Sequence, residues 1–154
     1  MNKVEIKKVV NPDKEMLDIT TKWMYDWWGK RKNYDYDKVY YYMKHSFNDD
    51  RFPQTYGIFL DDKIIGMYHI TYNDLFIRPD IYPWIANLYI DENYRGKGYG
   101  GLLISSIKEK VLENTDFKEI YLYTEHENLY EKYGWKFVCK TDLKDRRIYK
   151  LDLE

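Results

Sequence analysis

The chain has 154 residues, enough to bury one real core, and its 25 basic and 26 acidic residues nearly cancel. No global field therefore recruits nucleic acid or an anionic membrane, and the lone Cys139 excludes an internal disulfide framework and a Cys-pair zinc site. The first residues lack the apolar run of a signal peptide, no window approaches a membrane span, and a cytoplasmic location is the expectation. The 18 Tyr and 5 Trp suit either a core padded with amphipathic rings or an exposed aromatic binding wall.

Val and Ile alternate with charge from Val4 to Val9, which predicts a first strand. Asn11-Pro12-Asp13 reads as a helix start, with Asn11 as cap and Pro12 at the first helical position. Met16, Ile19, Thr20, Trp23 and Trp27 recur at spacings of three and four on a helix that stops at Gly29. Asp35 caps a second helix to about Phe47, with Val39, Tyr42, Met43 and Phe47 on its buried side. Tyr56 to Leu60 and Lys63 to Tyr72 form an antiparallel hairpin around Asp61-Asp62, and Gly66 marks a bulge.

Asn73 to Tyr82 reads as a loop too polar for the core. A strand follows over Ile85 to Ile90, and a long helix runs to about Asn114. Glu119 to Tyr123 is the next strand, Asn128 to Tyr133 a short helix stopped by Gly134, and Trp135 to Cys139 with Arg147 to Leu151 a closing hairpin.

The stretch from Leu88 to Ile104 organises the rest. A strand ends at Ile90, and glycines 96, 98, 100 and 101 lead into the helical pattern of Leu102, Leu103, Ile104, Ile107, Val111 and Leu112. Strand, glycine loop and helix N-terminus make an anion-binding construction, because glycines leave backbone N–H groups uncovered and the first helical turn offers unpaired donors. A P-loop is excluded, since Leu102 and not Lys-Ser or Lys-Thr follows Gly101. Gly96-x-Gly98-x-x-Gly101, with Glu125 after the next strand, matches a dinucleotide fingerprint, but too little chain follows for the further βαβ units that fold needs.

Arg95-x-x-Gly98-x-Gly100 preceded by Leu88-x-Ile90, and Leu129-Tyr130-Glu131-Lys132-Tyr133-Gly134-Trp135 further on, resemble the two motifs of the GNAT acyltransferases, the GCN-related N-acetyltransferase superfamily. The resemblance covers roughly Lys63 to Leu151. It implies a single α/β domain over residues 1 to 154, with a mixed, mostly antiparallel twisted sheet, helices on both faces, and a splay between the two central strands. It also implies acetyl-CoA as cosubstrate and a small-molecule or peptide amine as partner, in a monomer or homodimer without nucleic acid, membrane or metal.

Carried over by motif, Leu88, Tyr89 and Ile90 would face the pantetheine arm, with Asn128 as a further contact. The backbone of Arg95, Gly96, Lys97, Gly98, Tyr99 and Gly100 would hold the pyrophosphate. Tyr130 matches the family's general acid toward the departing sulfur. Many members place a carboxylate on the strand before the loop, where this chain has Ile85, Ala86 and Asn87. Glu125 and His126 are then the first candidates for the base, followed by Asp74 and His69. Trp27, Trp28, Tyr34, Tyr36, Tyr40 and Tyr41, with Asp26, Asp35 and Asp37, suggest an aromatic wall for a cationic acceptor. A non-catalytic acyl-CoA sensor and a nicotinamide-dependent oxidoreductase are the alternative readings.

Overall fold

A computed structural model describes residues 2–154. Seven strands form one sheet in the order β1-β2-β3-β4-β5-β7-β6. They are β1 (Val4–Val9), β2 (Gln54–Leu60), β3 (Lys63–Thr71), β4 (Trp84–Ile90), β5 (Glu119–Thr124), β6 (Lys136–Lys140) and β7 (Arg147–Asp152). Every pairing is antiparallel except β4 with β5. The dinucleotide reading needs a doubly wound parallel sheet, and this topology removes it.

Helices α1 (Lys14–Met24) and α2 (Tyr36–Lys44) cover one face, and α3 (Tyr99–Asn114) covers the other. Strand alternation makes the division: Ile64 and Met67 join Leu17, Trp23, Met24, Val39 and Met43, whereas Ile65, Tyr68 and Ile70 pack with Leu103, Ile107 and Val111. The buried aliphatic side chains among these each contribute about 1.5–3 kcal/mol over leaving them exposed, so the helices are held by their apolar stripes. Among the described residues no helix is long and apolar enough to cross a membrane.

Three expectations are corrected. Asp13 and not Asn11 caps α1, its carboxylate accepting from Met16 N at 2.8 Å; Asn11 sits two residues early at φ 54° and Pro12 precedes the cap. The first helix does not run evenly to Gly29: after Met24 it widens into a π-helical turn over Tyr25–Gly29, with Lys30 N donating to Tyr25 O at 2.9 Å. The widening puts Trp27 against Tyr89 and Trp28 against Tyr42, which lies on a different helix. The loop after β3 is not wholly outside the core, because Leu75 is buried with Trp84, Tyr121 and Ile148.

Other expectations match. Asp35 caps α2 by accepting from Lys38 N at 2.9 Å. The β2–β3 register shifts opposite Gly66, where a Cβ would come within 2.7 Å of Tyr89 O and 2.6 Å of Ile90 Cδ1. Glycine lets β4 lie close at that point.

Candidate functional site

Strands β4 and β5 make a single ladder pair, Trp84 with Tyr121, supported by Tyr121 N donating to Pro83 O at 3.0 Å. Beyond it the two strands form no further pair and the sheet opens. The local cause is a bulge: β3 advances two residues from Met67 to His69 while β4 advances three from Tyr89 to Ala86. Asn87 lies in that extra step at φ 54°. Asparagine tolerates the left-handed region better than most residues, and a bulge bends and twists its strand. Leu88 and Tyr89 are half-buried along the opened stretch and Ile90 is buried.

The strand then turns into the glycine loop. Asp91 accepts from Asn93 N at 2.9 Å and starts a short turn over Glu92–Tyr94. Arg95 folds back, its Nε donating to Ile90 O at 2.8 Å and its guanidinium lying 4.9 Å from the centre of the Tyr89 ring. Gly96 (φ 76°) and Gly98 (φ 89°) are left-handed, and Gly98 heads α3 with no side chain capping it. A Cβ at either would meet nothing within 4 Å, and one at Gly100 would meet only Ile90 Cγ1 at 3.9 Å.

The loop is therefore an uncovered main-chain cradle at a helix N-terminus, the arrangement that suits a phosphate. Lys97 lies alongside, its Nζ 5.8 Å from the centre of the Tyr94 ring. Gly101 differs: a Cβ there would lie 2.6 Å from Tyr133 Oη, so packing against the short helix over Tyr130–Tyr133 accounts for it.

Past β5 the candidates separate. Glu125 pairs with Arg146 at 2.6 Å, and the hydrogen bond from that guanidinium holds its carboxyl below the usual carboxylate range. His126 is exposed and engages only through its main-chain N–H, which donates to Thr124 Oγ1 at 3.0 Å. Asn128 is exposed at φ 64°. Tyr130 is 6 % exposed, with its ring 5.9 Å from that of Trp135 and 6.4 Å from that of Tyr149. Burial pushes its phenol up to about 12, and its hydroxyl makes no hydrogen bond to the described residues.

On the α1–α2 face, burial pushes the Asp74 carboxyl up to about 7, with Lys32 opposing the shift. Asp74 has no ion-pair or hydrogen-bond partner among the described residues. Its charge also reaches Tyr42 and Tyr123, secondary to the burial that raises both phenols. His69 is fully buried and burial lowers it to about 3, so it is neutral. Its Nδ1 accepts from Asn87 Nδ2 at 3.0 Å, and Asn87 Nδ2 also donates to Tyr42 Oη at 2.9 Å.

Tyr42 and Asn87 are the residues that sequence reading missed, one taken as helix packing and the other as a gap in a pattern. The available signal was an asparagine in the middle of Trp84-Ile85-Ala86-Asn87-Leu88-Tyr89-Ile90, a poor strand former that accepts positive φ. The expected aromatic wall is not assembled as one surface. Trp28 and Tyr34 pack together beside Tyr42, Trp27 lies on Tyr89, Tyr36 on Tyr25, and Tyr41 is 67 % exposed against His45. Asp26 is paired with Lys22 and Lys30, and Asp35 serves as a helix cap.

Comparison with known proteins gives three findings. The sequence profile of the Acetyltransferase (GNAT) family matches residues 18–135. A spermine/spermidine N(1)-acetyltransferase of Bacillus subtilis is 29% identical over 70 residues, 42% of this chain and 46% of the relative, so the chain spans about half the length of that curated relative. Among solved structures, a GNAT-family acetyltransferase of Staphylococcus aureus superposes with TM-score 0.68 at 15% identity, covering 99% of this chain and 100% of the other. A putative streptothricin acetyltransferase of Bacillus anthracis, solved in complex with acetyl coenzyme A, gives 0.56 at 23% identity over 72% and 68%.

Proposed function

Since the chain belongs to the acetyltransferase (GNAT) family, we propose that it transfers an acetyl group from acetyl-CoA directly to a primary amine of a small molecule or peptide. The supporting observation is a conjunction: β4 and β5 part after one pair, and the open left-handed glycines 96 and 98 lie at the exit of that gap. An open main-chain cradle fits a diphosphate, and a strand edge freed from pairing fits an amide-bearing arm. When bound, the thioester supplies an activated acyl group.

The chain's own residues then solve two proton problems. An alkylammonium with a pKa near 10.4 is neutral at pH 7 only at a cost of about 4–5 kcal/mol. Asp74, unpaired and titrating near neutrality, accepts that proton in this reading, while Glu125 is held acidic by Arg146 and His126 stands on the rim. The departing thiolate has a pKa near 8.5, some 3.5 units below the buried phenol of Tyr130, about 5 kcal/mol of uphill transfer. Tyr130 therefore acts by donating a hydrogen bond to the sulfur as charge develops there. It stays protonated throughout the physiological range and is always ready as a donor.

The likeness to a spermine/spermidine acetyltransferase and the paired rings of Trp28 and Tyr42, the latter within reach of the Asp74 charge, make polyamines the first acceptors to test. Thiol release from acetyl-CoA is measured across spermine, spermidine, an aminoglycoside and a lysine peptide, with acetyl-CoA affinity measured in parallel. Release with at least one amine supports transfer. Tight acetyl-CoA binding with no release from any amine replaces it with the sensor reading, whose support is that β4 carries Asn87 and no carboxylate. No acetyl-CoA binding refutes both.

A further inference from the structure

Three unfavourable choices coincide where the sheet opens. A histidine is fully buried with its Nε2 lacking any partner among the described residues, an asparagine occupies a strand at φ 54°, and a tyrosine that is 38 % exposed turns its hydroxyl to that asparagine. A buried polar atom left unpaired costs about 1–3 kcal/mol, and left-handed strain at a non-glycine adds to it. If packing alone were required, Phe at 42 and an aliphatic at 69 would serve.

The hydrogen-bond inventory is specific. Asn87 commits its carboxamide hydrogens to Tyr42 Oη at 2.9 Å and to His69 Nδ1 at 3.0 Å. Nδ1 is thereby fixed as acceptor, which places the histidine proton on Nε2. The remaining contact, Tyr42 Oη to His69 Nδ1, is 3.5 Å long and ends on a nitrogen Asn87 already serves. The Tyr42 hydroxyl thus accepts from Asn87 and keeps its own hydrogen. Its ring is clamped edge-on between Trp28 at 5.6 Å and His69 at 5.9 Å.

We propose that Tyr42, Asn87 and His69 form a triad that presents the Tyr42 hydroxyl to the incoming amine beside Asp74, with Tyr42 as the contact and Asn87 and His69 as positioning residues. The triad ties the amine's seat to the bulge that opens β4, so acceptor and acetyl group are registered against one strand. This inference rests on reading Asp74 as the base.

The test compares Tyr42→Phe, Asn87→Gly and the double variant, using acetyl-CoA with spermidine or the panel amine turned over fastest. Phe keeps the ring clamped, and Gly keeps positive φ while removing the carboxamide. Each single variant is expected to lower kcat/KM for the amine about tenfold and leave the acetyl-CoA KM within twofold. The double variant is expected to lose no more than either single one, because the residues act as a unit. Nitrogen-15 NMR should show His69 protonated on Nε2 alone from pH 5 to 8 in the wild-type protein and as mixed tautomers in Asn87→Gly.

Wild-type amine kinetics in Tyr42→Phe, or losses that multiply in the double variant, overturn the triad. So does a wild-type His69 protonated on Nδ1 or titrating in that range, whether or not any amine is turned over. The base reading fails separately: if Asp74→Asn keeps the wild-type pH profile, Asp74 is not the base, whereas a flattened acid limb with an inert Tyr42→Phe removes the triad alone.

Discussion

Arg95 reaches back along its own loop to donate Nε to the carbonyl of Ile90 at 2.8 Å, with its guanidinium over Tyr89. The bond closes the turn between the end of β4 and the glycines, so the arginine shapes the cradle as well as adding charge to it. Arg95→Ala should weaken acetyl-CoA binding about tenfold in a calorimetric titration while lowering stability by about 1 kcal/mol. Arg95→Lys should not restore affinity, because an ammonium on a flexible stem lacks the planar group that bonds the carbonyl while stacking on the ring.

Three of the loop glycines should separate by mechanism. Gly98→Val should abolish acetyl-CoA binding in a protein that still folds, since the side chain enters open space at a left-handed residue and costs about 1–2 kcal/mol of backbone strain. Gly100→Ala, free of any positive φ, should cost affinity and no stability. Gly101→Ala should do the reverse, because its Cβ would meet Tyr133 Oη at 2.6 Å. Thermal melts and acetyl-CoA titrations on the three variants read the pattern directly.

Tyr130→Phe keeps the ring between Trp135 and Tyr149 and removes a hydroxyl that has no protein partner among the described residues. Turnover should fall about 10- to 100-fold with little change in acetyl-CoA affinity or melting temperature. Unchanged turnover would remove the phenol from the reaction.

The Asp74 carboxyl titrates at about 7 in the folded protein against an ordinary value of 3.8, so kcat/KM for the amine should fall about tenfold per pH unit below pH 6 as the base is lost. Stability runs the other way. Between those values the folded state holds the proton more tightly than the unfolded chain, so this group's contribution is greatest below pH 3.8 and declines as pH rises through 7. Asp74→Asn should therefore flatten the acid limb and raise the melting temperature at pH 8. Glu125→Gln should leave the profile in place and remove only an exposed pair with Arg146, worth 0–1 kcal/mol.

What the sequence determined by itself is what near neighbours decide. Alternation drew the strands, spacing drew the helices, Asp35 announced its cap, and the glycines before Leu102 marked the cradle, each through bonds or torsions within a few residues. Asn11 was taken for Asp13 because both fit a capping pattern and only the turn geometry chooses between them. The tertiary structure alone decided that Asn87 meets His69 and Tyr42, 18 and 45 residues away, and that Asp74 is unpaired while Glu125 is tied to Arg146. The reason is physical: a carboxyl's basicity depends on desolvation and on which charges surround it, and those neighbours come from segments far apart along the chain.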